Sequence, residues 1–426
     1  MTRPALGSRN IHASRLPNGL QVVTETMPHV RSVAVGVWVG TGARRETPEL
    51  TGISHFLEHM VFQGTRDYSA EAIARSIDSI GGHLDAYTTK ELVSFNTKVL
   101  DEHLPLAVDV LADLVLRPLL READIEKEKG VILEEIKMET DSPEYLVHEL
   151  FCRRFWPGHS LGAPILGTPE TVRSFRREAI AGYHSSVYTA SNLLVTAAGN
   201  VEHEQLLALV EPEFSALPAA PPPPPAEPAT PQPHLHLEHK PSLEQVHLCL
   251  GVPSYPVNHE RRYDCYVLNT ILGAGMSSRL FQNIREKRGL AYSVGSELSL
   301  FRDTGCLLIS AGTSPANVQE VVRLTLEELA RLKDEPVGEE ELERAKSHLK
   351  GSIMLSLEST SARMANLARQ RLFFGRFFGL DEILAGIESV TAESLQAVAR
   401  AFFSTPNLAL TALGPLEGIR FSELTV

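Results

Sequence analysis

The run HFLEH, His55 to His59, sets a carboxylate between two imidazoles. On a helix, His55 and His59 are one turn apart and project from the same face, with Glu58 on that side as well. Two neutral imidazoles suit zinc, and a catalytic zinc site takes three protein ligands and keeps one position for water. A neighbouring carboxylate can then accept that water's proton. The pattern is the HEXXH logic with the glutamate moved by one place. The flanks Ile53, Phe56, Leu57, Met60, Val61 and Phe62 are apolar. Two histidines and a glutamate on so buried a helix are costly unless something such as a metal pairs with them.

A third ligand has to be acidic and has to face inward from another element. The stretch DIEKEKGVILEEIKME, Asp124 to Glu139, reads as a helix rich in carboxylates. At about 100° per residue, the face centred between Val131 and Ile132 also carries Glu128 and Glu135. Glu126 points nearly opposite, and Glu134 lies about 110° from that centre. Periodicity makes Glu135 the buried-side candidate and places Glu128 two turns earlier on the same face. It does not decide which of the two reaches the metal.

The chain that must position these groups has 426 residues, 43% hydrophobic and 22% charged, an ordinary globular composition long enough for two or three domains. Its net charge of −13 argues against general nucleic-acid binding, which needs a cationic face. No stretch approaches the roughly 20 apolar residues that span a bilayer. The opening MTRPALGSRNIHASRLPNG lacks the apolar centre of a secretory signal, so a cytoplasmic location is expected. Cys152, Cys249, Cys265 and Cys306 form no CxxC pair, which makes a zinc–thiolate site or a disulfide scaffold improbable.

The chain reads as one domain written twice. NLLVTAAGNV (Asn192 to Val201) and NLALTALGPL (Asn407 to Leu416) share Asn, Leu, Thr, Ala and Gly in register. SVAVGVWVG and QVHLCLGVP are β-rich runs, each followed by a helical segment, ELTGISHFLEHMVF and YDCYVLNTILGAGM. Later, IEKEKGVILEEI corresponds to LERAKSHLKGSI. A duplicated α+β domain accounts for this order. The proline-rich stretch 216–234 cannot enter a helix or a central strand and divides the copies. The expected organisation is a catalytic domain over 1–215, a linker over 216–234 and a homologous domain over 235–426. The second copy has Gly and Ala where the first has His, Glu and His, so one metal site, in the N-terminal half, is expected.

With these residues in view, the chain resembles the pitrilysin-type metallopeptidases, the inverzincins, and among them the short bacterial relatives of the mitochondrial processing peptidase β subunit. The segments GISHFLEHMVFQGT, GGHLDAYTTKE, EKEKGVILEEIKM, HSLGAPILGTPETV and GAGMSSRLFQNIREKRGLAYSVGS read like family segments in family order. The family signature is HxxEH followed by a ligand glutamate about 75 residues later, and Glu135 follows His59 by 76. A supporting glutamate precedes that ligand by seven residues, the place of Glu128. The resemblance implies two homologous α+β halves closing like a clamshell over a chamber. It also implies an arginine and a tyrosine, seven residues apart in the second half, that reach substrate. Arg285 and Tyr292 have that spacing, and Arg288 does not. DAYTTK matches the edge strand that pairs with bound peptide, making Asp85, Ala86, Tyr87 and Thr88 substrate-binding candidates. The family usually has Asn at the place of Asp85, and a carboxylate cannot donate a hydrogen bond.

The expectation is therefore a zinc endopeptidase acting on unfolded peptides or flexible protein termini. One Zn2+ per chain is held by His55, His59 and Glu135, Glu58 is the base, and Glu128, Arg285 and Tyr292 assist. The expected assembly is a homodimer, with a heterodimer containing an inactive homologue as the alternative. The rivals are a non-catalytic assembly subunit of the same fold and another metal-dependent hydrolase or an oxidoreductase. The LGAGMSSR stretch lacks the G-x-G-x-x-G spacing that a dinucleotide enzyme needs.

Overall fold

The computed structural model describes residues 10–221, 223–224, 226–421 and 424–426. The chain is α+β and splits into two compact units. The strands are β1 (Ile11–Arg15), β2 (Gln21–Thr26), β3 (Ser32–Val39), β4 (His83–Thr88), β5 (Val93–Leu100) and β6 (Leu193–Gly199), then β7 (His234–His239), β8 (Val246–Ser254), β9 (Ala291–Leu300), β10 (Gly305–Thr313) and β11 (Ala409–Gly414). The first sheet has the order β1-β2-β6-β3-β5-β4 and the second β7-β11-β8-β10-β9. Apart from the extra edge strand β1, the two orders match strand for strand. In each, one pair is parallel (β2 with β6, β7 with β11) and the remaining matched pairs are antiparallel.

The residues shared by the two repeat motifs have shared jobs. Asn192 donates through Nδ2 to the Val187 carbonyl at 2.8 Å, and Asn407 donates to the Phe402 carbonyl at 3.3 Å. Each thereby ties the last carbonyl of a helix that has just ended, which also accepts a backbone amide, to the start of the following strand. Gly199 (φ +135°) and Gly414 (φ +146°) close the matching strands, β6 and β11. A Cβ at Gly199 would stand 2.2 Å from the Ser32 carbonyl oxygen, and one at Gly414 2.6 Å from that of Gln245, so only glycine fits either place.

The compact units differ from two contiguous halves in two segments. The first comprises Met1–Lys137, Ala163–Glu227 and Leu355–Gly379; the second comprises Met138–Gly162, Pro228–Met354 and Leu380–Val426. Each sheet therefore has one face covered by helices of its own half and the other by a helix from the other half of the sequence. In the first unit the helix Thr360–Arg369 lays Met364, Leu367 and Ala368 on Val23, Ala34, Trp38, Leu194 and Ala198. In the second, the helix Pro143–Phe155 lays Val147, Phe151 and Phe155 on Cys249, Cys306, Leu308, Ala409 and Leu413. Burial on both faces is why β3, β6 and β11 are continuous small-apolar runs rather than alternating ones. The proline-rich stretch is divided too. Arg44 donates to the Glu227 carbonyl at 3.0 Å within the first unit, and Gln232 N donates to the Phe155 carbonyl at 2.8 Å within the second. Among the described residues, no helix is long and apolar enough to cross a membrane.

Candidate metal centre

Two helices of the first unit build the site. Helix α1 (Ile53–Val61) carries HFLEH, and every residue of it except His59 is buried. Phe56 and Leu57 are wholly enclosed, and the Phe56 ring meets Phe175 edge-on at 5.3 Å between centroids. That packing leaves the helix one accessible side, the side bearing the two histidines. Helix α2 (Glu122–Asp141) is charged along most of its length and buries only Ile125, Glu128, Lys129 and Ile132. Glu135 lies one turn beyond Ile132 on that inward stripe.

His55 Nε2 and His59 Nε2 each stand 3.7 Å from the same atom, Glu135 Oε2. The rings are 4.6 Å apart between centroids and inclined by 57°. Those N···O separations are too long for hydrogen bonds. They are close to the roughly 3.3–3.5 Å that separates two donors on one tetrahedral ion with bonds of about 2.0–2.2 Å. The Glu135 side chain is partly exposed, yet its Oε2 is buried and no hydrogen-bond partner reaches it. A buried carboxylate oxygen aimed at two imidazole nitrogens, with no donor between them, fits a divalent cation. Among the described residues, His55, His59 and Glu135 are the one group of three or more potential ligands whose donor atoms all lie within 4.8 Å of one another.

Glu128 and Glu135, which periodicity leaves as alternatives, have different neighbours. Glu128 is buried and meets His59 Nδ1, the nitrogen turned away from Glu135, at 3.2 Å. With the Nδ1 proton directed at that carboxylate, His59 keeps its Nε2 lone pair for the ion, the outer-shell arrangement that fixes tautomer and ring orientation. His55 is buried without such a partner at Nδ1. Burial, with the neighbouring His59 adding to it, holds its imidazolium down to about 3, so the ring is a neutral donor. Glu134 and Glu126 turn outward and pair with Lys137 and Lys129 at 2.6 and 2.7 Å.

Glu58 is 9% exposed, and burial pushes its carboxyl above the ordinary range. The larger opposing influence, ahead of the charge on His59, is a hydrogen bond of 2.5 Å from the Thr88 hydroxyl to Glu58 Oε2, which favours the ionised form. This bond ties the last residue of β4 to the candidate base, a link that strand periodicity does not reveal. Asp85 to Thr88 lie on β4, the edge of the first sheet, which among the described residues pairs only with β5. The strand alternates in exposure, and Tyr87 sets its ring edge against Trp38 at 6.3 Å.

Arg285 and Tyr292 lie in the second unit and meet each other. The Arg285 guanidinium sits over the Tyr292 ring at 5.3 Å and over Phe281 at 4.8 Å. Tyr292 is 79% exposed. Arg288 instead donates to the Asn283 carbonyl of its own turn at 2.8 Å. Other histidines near the motifs have structural partners. His184 bonds the Val115 carbonyl at 2.8 Å, and His159 Nδ1 accepts from Leu161 N at 3.0 Å.

Comparison with known proteins places the chain in a family. Residues 21–169 match the family model described as insulinase, peptidase family M16, and residues 174–349 match the model described as the peptidase M16 inactive domain. An uncharacterized zinc protease of Bacillus subtilis is 44% identical over 93% of this chain and 97% of its own length. Another, from Streptomyces coelicolor, is 40% identical over 98% of this chain and 92% of its own. Among solved structures, a protease from Helicobacter pylori superposes with a TM-score of 0.88 at 23% identity, covering 95% of this chain and 99% of that one. A Candida albicans complex III structure contains a chain with a TM-score of 0.83 at 20% identity, covering 96% of this chain and 97% of that one. At those identities the two structures speak for the fold alone. Matched over most of its length by family models and by relatives of 40% identity or more, this chain belongs to the pitrilysin-type peptidase family M16.

Proposed function

We propose that the protein is a zinc-dependent endopeptidase, and the observation that carries this reading is the convergence of both imidazole Nε2 atoms on Glu135 Oε2. Two relatives named as zinc proteases support the choice of metal and reaction. His55, His59 and Glu135 hold the ion, an N2O set of the kind catalytic zinc takes. When bound, zinc supplies Lewis acidity and a nucleophile available at neutral pH. Glu58, held by Thr88, accepts the proton of the attacking water and returns it to the leaving amine. Glu128 keeps His59 in its ligating tautomer. The free edge of β4 docks the substrate backbone by strand addition. The half-buried Arg285 and the exposed Tyr292, held together, are assigned to peptide carbonyls and the developing oxyanion, an effect typically worth about 3–4 kcal/mol. The ligand set and base also distinguish this reading from a non-catalytic subunit of the same fold.

The test is digestion of a random peptide library with the products read by mass spectrometry. Cleavage that a chelator abolishes and added zinc restores is expected. Absence of cleavage at full zinc occupancy, or cleavage indifferent to the chelator, would overturn the reading.

A further inference from the structure

The helix that carries both imidazoles and the base has an unusual N-terminus. The first amides of any helix lack intrahelical acceptors and are ordinarily satisfied by the side chain of the capping residue. In α1 the capping residue is Gly52, at φ 96°, which has no side chain to offer. The acceptor comes from six residues upstream: Glu46 Oε2 accepts from Gly52 N at 2.7 Å, and Glu46 Oε1 accepts from Ser54 N at 2.8 Å. Glu46 is 8% exposed, so bulk water does not replace these bonds if they are lost.

Neighbouring side chains grip the same turn. Ser54 Oγ and Tyr183 Oη are 2.7 Å apart, and Thr171 Oγ1 donates to the Thr51 carbonyl at 2.7 Å. Ser54 is bonded directly to His55 in the chain. Two acceptor atoms on one planar carboxylate fix two points of the first turn. They therefore set both the advance of α1 along its axis and its roll about it. A roll of roughly 10° carries an imidazole tip by about 1 Å, whereas productive sites hold their groups within about 0.5 Å and 10–20°.

We infer that Glu46 is a positioning residue for the proposed zinc site, its bidentate grip on the Gly52 and Ser54 amides setting where His55, Glu58 and His59 stand. The inference rests on the zinc-peptidase reading above. It requires a carboxylate in particular: a carboxamide of the same shape has one acceptor oxygen and turns an NH2 group toward the second amide.

The decisive variant is Glu46→Gln in the full-length chain, with Glu49→Gln as control, an exposed neighbour whose carboxylate bonds Thr47 and its own amide rather than the amides of α1. Three quantities are read: zinc affinity by chelator competition, the visible spectrum of the cobalt-substituted protein, and the melting temperature of the metal-free protein. For Glu46→Gln, zinc affinity is expected to fall about 10–100-fold, as for other outer-shell partners. The cobalt bands should shift, kcat should fall with little change in KM, and metal-free melting should stay within a few degrees of wild type. Glu49→Gln should leave all of these unchanged. Wild-type zinc affinity and an unshifted cobalt spectrum in Glu46→Gln would overturn the inference alone. So would collapse of the metal-free fold, which would assign Glu46 a purely structural role. A wild-type chain that holds no zinc overturns it together with the reading on which it rests.

Discussion

The two units share one framework and differ in donor atoms. Helix α2 of the first unit corresponds to the helix Glu339–Ser356 of the second. Lys129 and Lys346, matched in the two, are both buried, and each reaches back three residues to a glutamate, at 2.7 and 3.1 Å. Yet the places of Glu128 and Glu135 are taken by Ala345 and Ser352. Likewise α1 corresponds to the helix Arg262–Leu272, where the aligned segments put Asn269, Leu272 and Gly273 at the places of His55, Glu58 and His59. This corrects the expectation of Gly and Ala there: only the glycine stands at one of these places, and Ala274 falls opposite Met60. Both helices touch the edge strand of their sheet through a hydroxyl. In the first unit the Thr88 hydroxyl bonds the Glu58 carboxylate; in the second, Ser296 Oγ donates to Asn269 Oδ1 at 2.8 Å. The second contact is tighter. Ser296 N also donates to the Gly273 carbonyl at 3.3 Å, and a Cβ at Gly273 would lie 2.4 Å from Ser296 N. A histidine at that place would have to push the strand away. Structural contacts survive in both copies, while among the described residues the cluster of donors that a metal needs is found in the first alone.

The largest effect that probes this contrast is on catalysis. Glu58→Gln should keep zinc and fold while lowering kcat by about 10³-fold or more, in the upper part of the range for a lost general base. Steady-state kinetics with a fluorogenic peptide measure it, and near-wild-type turnover would remove Glu58 from that role. Next is the choice of ligand. Glu135→Gln should weaken zinc binding by more than about 100-fold, whereas Glu134→Gln, outward-facing and paired with Lys137, should leave it unchanged. Equal losses in competition titrations would contradict the assignment. Glu128→Ala gives the first unit the residue its twin has at Ala345, and should cost about 10–100-fold in zinc affinity through a loosened His59. The smallest effect is in the second unit: Gly273→Ala should destabilise the chain by about 1–3 kcal/mol, seen in urea unfolding, with zinc affinity untouched. An unchanged midpoint would mean that β9 yields at little cost.

Much of this was legible from residue patterns. The repeated NLLVTAAG and NLALTALG stretches mark matching strands because their Asn and Gly do local jobs, a cap and a positive-φ strand end, that the same fold demands twice. HFLEH was legible because helical spacing fixes which side chains share a face. The inward stripe of α2 brought out Glu128 and Glu135 together, since both lie on it. Proposing one as ligand and the other as supporter takes the resemblance or three-dimensional distances, because the two are seven residues apart and nearly eclipsed on the helix. The exchanged helices Pro143–Phe155 and Thr360–Arg369 left only an indirect trace, strands apolar on both faces. Nothing local says which distant segment covers a sheet. The one bond from Thr88 to Glu58 and the two that Glu46 accepts from Gly52 and Ser54 run across loops, where no period exists to expose them.

Anomalous diffraction at the zinc edge from crystals of the zinc-loaded protein tests the central claim most directly. The account predicts one strong peak per chain, about 2.0–2.2 Å from His55 Nε2, His59 Nε2 and a Glu135 carboxylate oxygen. A peak bound elsewhere, or one at the two histidines with the Glu135 carboxylate more than about 4 Å away, would contradict it.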